Sequence, residues 1–172
     1  MAGLKMVHVP YVGGAPAMLD AHFAHIARTY PSGLPGEALT PGRLNVCLTF
    51  DGGYYDFYAV VFPLLKKHGL RALLAIPPLV VHSHTDAPVA VRLGCEPEVP
   101  FTHPNRGGFC TWTELREMAH SGHVAIAAHG FTHCRLDDSG ADLRMALHLA
   151  PLGGGQTIGL VEHVVADADL AD

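Results

Sequence analysis

Three short apolar runs, at 44–50, 72–76 and 124–128, limit what this chain can fold into. None alternates polar with apolar; only Asn45 and Thr49 interrupt the first. A run that is apolar at nearly every position suits a strand buried on both faces, as in a parallel sheet. Between the first two lies a helix-length stretch, 57–68, which Asp56 is placed to cap and Gly69 to stop. Pro63 within it predicts a kink or a restart. Strand, helix and strand in about 30 residues make parallel neighbours joined by a right-handed crossover. Before the third run, Thr111 and Glu114 have capping-box spacing. The helix they open carries Trp112, Leu115, Met118 and Ala119 on one face and ends at Gly122.

Other segments extend this α/β pattern. The run 6–12 predicts a strand, and 16–30 a helix with Leu19, Phe23, Ile26 and Ala27 on one face. Residues 31–43 are Pro- and Gly-rich loop. The segment 81–109 carries Pro88, Pro97, Pro100 and Pro104 and shows no clear period. It reads either as a wall over a cleft or as an insertion with no direct role. Beyond Leu136 the pattern weakens to a helix at 141–150 and a strand at 158–161 or 163–165. The residues 152–172 are left unassigned. The expected organisation is one parallel α/β domain over 1–172.

Composition narrows the partners. With 49% hydrophobic and 16% charged residues, the chain can build a packed core. A net charge of -5 without a basic stretch argues against nucleic acid. No apolar run is long enough to span a bilayer, so no membrane partner is expected. Residues 1–18 lack the continuous apolar region of a secretory signal. The expected location is cytoplasmic for the chain as written, or the cell envelope if a leader has been removed. Cys47, Cys95, Cys110 and Cys134 include no C-x-x-C pair, so neither a zinc ribbon nor a redox motif is signalled. Cys47 should pack as a small hydrophobe; a disulfide among the other three stays open.

In parallel α/β folds, ligand-facing residues stand at the carboxyl ends of strands. Asp51 follows the first run and His129 the third, with His133 four residues on. Two imidazoles and a carboxylate can converge on one divalent metal such as zinc. Water held there has its pKa lowered to about 7, and Asp51 can take its proton as general base. The histidine pair alone says little in a chain with thirteen histidines, where His82–His84 and His120–His123 also lie close. Asp51 adds weight, because a carboxylate there has no core to join and must face a loop or cleft.

Leu48-Thr49-Phe50-Asp51-Gly52-Gly53 resembles the T-F-D-D-G motif of the polysaccharide deacetylases, the NodB-homology group of carbohydrate esterase family 4. His129-Gly130-Phe131-Thr132-His133 resembles their H-[ST]-x-x-H motif. The intervening Phe62-Pro63-Leu64-Leu65-Lys66-Lys67-His68-Gly69 and the stretch from Thr111-Trp112 to Ser121-Gly122 agree as well. The resemblance covers roughly 7–136. It implies an irregular, incomplete (β/α) barrel and metal-dependent removal of N-acetyl groups from an amino-sugar carbohydrate. It gives Asp51 as catalytic base and His129 and His133 as metal ligands, with zinc the expected ion.

Three departures accompany it. The family's third ligand, the second Asp of its first motif, is here Gly52, leaving Asp56 or Asp51 as candidate replacements or a water in the vacancy. Restoring Gly52→Asp is expected to raise metal affinity if the site lacks only that ligand; unchanged affinity would contradict the inferred geometry. Gly130 stands in place of Ser or Thr, and the later R-x-P-Y-like and leucine-histidine motifs are absent, which leaves the general acid unnamed. A truncated or frame-shifted coding region would explain this. The alternative reading is a degenerate, non-catalytic carbohydrate-binding or scaffold relative, with a homo-oligomer as one way to cover an open half-barrel.

Overall fold

The computed structural model describes residues 3–8, 16–93, 106–129 and 159–160. Five strands form one parallel sheet: β1 (Gly3–His8), β2 (Leu44–Asp51), β3 (Ala72–Ile76), β4 (Val124–Ala128) and β5 (Gly159–Leu160). They lie in chain order with every neighbour parallel. That is the wall of a (β/α) barrel, present here as an incomplete arc. The described helices are α1 (Pro16–Thr29), α2 (Phe62–His68), α3 (Val89–Leu93) and α4 (Trp112–His120).

Strand alternation divides the core in two. On one face Val46, Leu48, Phe50, Leu74, Ile76, Val124 and Ile126 pack with Leu19 and Phe23 of α1, Leu65 of α2, and Leu115 and Met118 of α4. On the other, Cys47, Leu73, Ala75 and Ala127 form a smaller cluster, with Leu34 and Ala125 against it. The first is the helix-covered outer face; the second, built of small side chains, is the inner face. All five residues of β3 are buried. Burying a leucine such as Leu65 or Leu74 contributes about 1.5–3 kcal/mol.

Local chemistry explains the element ends. Thr111 and Glu114 form the predicted capping box: Thr111 Oγ1 accepts from Glu114 N–H at 3.3 Å, and Glu114 Oε2 from Thr111 N–H at 2.7 Å. Gly69 closes α2 in the left-handed conformation, φ 62°. Pro63 falls in the first turn of α2, where its missing N–H costs no helical bond. A wide π turn, Phe57–Val61, precedes it, and Phe62 N–H donates back to the Phe57 carbonyl. Pro63 therefore marks a restart.

Several expectations are corrected. Asp56 does not cap this helix: at φ −60°, ψ −31° it is already helical and makes no side-chain cap bond. β1, described over Gly3–His8, begins before the expected 6–12, as its pairing from Gly3↔Leu44 to His8↔Thr49 shows; residues 9–12 lie outside the described ones. The segment 81–109 contains α3 and a 3-10 turn at Arg106–Gly108. β5 lies within the expected 158–161, and the helix expected at 141–150 lies outside the described residues. Cys47 and Cys110 are buried, unbridged thiols. No helix among the described residues is long and apolar enough to cross a membrane.

Candidate active site

Asp51 is the last residue of β2, and His129 follows the last residue of β4. The register sets Asp51 level with Ala75 and Ala75 level with Ala127. His129 is two residues past Ala127, so alternation puts it on the same inner face as Asp51. His129 N–H donates to the Ile76 carbonyl at 2.9 Å, carrying the ladder past the end of β4. The two backbones are roughly 12 Å apart on the diagonal, two strands across and two residues along.

The turn after Asp51 is tightly built. Gly52 N–H donates to the Ala75 carbonyl at 2.9 Å, and Cys110 N–H to the Gly53 carbonyl at 2.8 Å. Both glycines are left-handed, φ 91° and 69°. A Cβ on Gly53 would lie 2.8 Å from Ile76 Cγ2; one on Gly52 would meet Tyr54 ring atoms at 2.5 and 2.9 Å. An aspartate at position 52 would be strained at this backbone angle and would need the Tyr54 ring to shift.

Of the residues singled out in the sequence, Asp51 and His129 come to one rim. Gly130 and His133 lie outside the described residues. Among the described residues, no three His, Cys, Asp or Glu side chains gather as a metal cluster. Of the implied ligand set, His129 alone is among the described residues, and Gly52 offers no ligand side chain. Burial pushes the Asp56 carboxyl up to about 6, against the pull of the Phe57 and Asp56 N–H groups. Its charge is felt at the buried Cys110 thiol, whose own pKa burial drives upward.

Sequence reasoning missed Arg92. This α3 residue is buried, with Nη1 and Nη2 on Glu114 Oε1 and Oε2 at 2.7 and 2.8 Å. Nη2 also donates to the Phe109 carbonyl at 2.9 Å and Nε to the Gly107 carbonyl at 3.0 Å. The guanidinium lies 3.5 Å from the centroid of the Tyr55 ring. Burial raises the Glu114 pKa, but Arg92 and the Thr111 N–H more than offset it, leaving the carboxyl below its usual range. Phe109 in turn stacks on Tyr54, 4.8 Å between centroids and 24° between planes. No spacing rule joins residue 92 to residue 114, and the proline-rich surroundings hide the short helix that carries Arg92.

Residues 39–149 match the polysaccharide deacetylase family. The chain belongs to that family. The matched span holds Asp51, Asp56, His129 and His133. A poly-beta-1,6-N-acetyl-D-glucosamine N-deacetylase of Escherichia coli strain K12 is 38% identical over 84 residues, 49% of this chain and 11% of that protein. The chain thus spans about a tenth of the length of the curated relatives it matches. A de-N-acetylase structure from Aggregatibacter actinomycetemcomitans superposes with TM-score 0.52 at 26% identity, over 76% of this chain and 55% of that one. The Streptococcus pyogenes deacetylase PplD, in complex with acetate, gives TM-score 0.56 at 19% identity, over 84% and 63%. These polysaccharide deacetylase relatives share the α/β barrel architecture.

Proposed function

We propose that this chain is a hydrolase of non-peptide carbon–nitrogen bonds that removes N-acetyl groups from an amino-sugar polymer. The observation that carries the reading is the strand register, which sets Asp51 and His129 on one inner face at one rim. The E. coli relative is named for deacetylating a polymer of N-acetyl-D-glucosamine. Asp51 takes the proton of the attacking water as general base. The water oxygen bonds to the acetamide carbonyl carbon, the C–N bond breaks, and the amine leaves protonated as acetate is released. His129 and His133 would hold a divalent metal, zinc, with Asp51 beside it and Asp56 the candidate for a further ligand. When bound, the metal supplies carbonyl polarisation and a more acidic water.

The missing ligand at Gly52 favours a second reading, in which the chain binds acetylated carbohydrate without turning it over. One experiment separates the two. Acetate release is measured from β-1,4- and β-1,6-linked N-acetylglucosamine oligomers, with and without chelator. Release that chelation abolishes and zinc restores supports the hydrolase. Binding without release supports the non-catalytic relative.

A further inference from the structure

We propose that Tyr54 is a substrate-positioning residue of this site, its ring standing beside Asp51 in the space a side chain at position 52 would take, and that Arg92 keeps it there. The proposal rests on the deacetylase reading for its ligand, an N-acetylated pyranose. The geometry is independent of that reading. Gly52 follows Asp51 directly, and the point where its Cβ would sit is 2.5 Å from one carbon of the Tyr54 ring and 3.4 Å from the carbon bearing the hydroxyl. The ring is therefore part of the rim next to the carboxylate. It is partly exposed, unlike Gly52, Gly53 and Tyr55 around it.

The ring is also fixed. Its outer neighbour is Phe109, stacked at 4.8 Å, and the two residues form an antiparallel backbone bridge. The Tyr54 carbonyl accepts from the Cys110 thiol at 3.3 Å. Arg92 holds the Phe109 carbonyl and the face of Tyr55, so one guanidinium braces one member of the stacked pair and the residue that follows the other. A shift of that brace would carry Phe109, on which the Tyr54 ring stacks, with it. A partly exposed aromatic ring next to the carboxylate offers the apolar C–H face of a sugar ring a surface to rest on. Glycine at 52 is the condition for it, since any larger residue would push the ring away.

The test is a double-mutant cycle on Gly52→Ala and Tyr54→Ala, with Tyr54→Phe and Arg92→Lys alongside. Two readouts are taken on each variant: urea stability, and affinity for an N-acetylglucosamine pentamer by calorimetry. Backbone strain at 52 is common to both backgrounds, so the cycle isolates the clash with the ring. Gly52→Ala should destabilise the protein more when Tyr54 is present than when it is Ala. Gly52→Ala and Tyr54→Ala should each weaken pentamer binding by about three- to tenfold, without adding in the double variant. Tyr54→Phe should keep wild-type affinity. Arg92→Lys should weaken binding and speed exchange of the Cys110 amide, which Gly53 holds. Additive stability effects, or pentamer affinity unchanged in Tyr54→Ala, would overturn the proposal. Wild-type protein that binds the pentamer but releases no acetate refutes the hydrolase reading and leaves this experiment readable; protein that binds none overturns both.

Discussion

Asp51 closes β2 at the rim of the sheet, and the residue after it is a glycine, which offers no ligand side chain. Asp51→Asn keeps the shape and removes the base. Acetate release should fall at least about 100-fold, while the urea midpoint moves by no more than about 0.5 kcal/mol in stability. Loss of both together would make Asp51 structural. Asp56 behaves differently. Burial raises its carboxyl from 3.8 to about 6, so the folded chain binds the proton more tightly than the unfolded one. Its stabilising effect is then full below about pH 4, declines as pH rises to about 6, and is gone above that. Asp56→Asn should flatten that slope and leave the chelated protein more stable at pH 8, by on the order of 2–3 kcal/mol. Equal stability of the two proteins at pH 8 would mean that Asp56 is solvated. The place of Asp51 was readable from sequence because it ends an apolar run; the burial of Asp56 was not, because a position that looks like a helix cap had already joined the helix.

The elements that could be read were those whose determinants are local. Thr111 and Glu114 lie three apart and satisfy each other's N–H groups, so the start of α4 was visible in four letters. Thr111→Ala should cost about 1 kcal/mol in urea denaturation, and a change near zero would mean the box is redundant. The stop at Gly69 and the β3 core were equally plain. α3 was not, because it is five residues long and is held by distant partners. Removing Arg92 strands Glu114, which is only 14% exposed. Arg92→Met should therefore cost roughly 3–5 kcal/mol, the scale of breaking a buried pair from one side. A loss under about 1 kcal/mol would place the pair in solvent. The same argument explains why the wall beside the site was invisible in the sequence: the Tyr54–Phe109 stack joins residues 55 positions apart through a turn no pattern announces.

The parallel sheet was legible because β2, β3 and β4 are apolar on both faces, and that requirement leaves few architectures. The start of β1 was missed because it contains Gly3 and Lys5 and is located by pairing with β2 rather than by its own pattern. The centre of the sheet should also be its most stable part. Amides of β3 and β4 should exchange only on global unfolding, and those of α3 well before; early exchange in β3 would contradict the packing described. The shared rim of the strands is what joins fold to chemistry. Diffraction from zinc-soaked crystals at the zinc absorption edge would locate the ion. The expected peak lies about 2.0–2.1 Å from ring nitrogens of His129 and His133, on the inner face that carries Asp51. A peak elsewhere, or Asp51 and His129 turned to opposite faces of the sheet, would contradict a single centre.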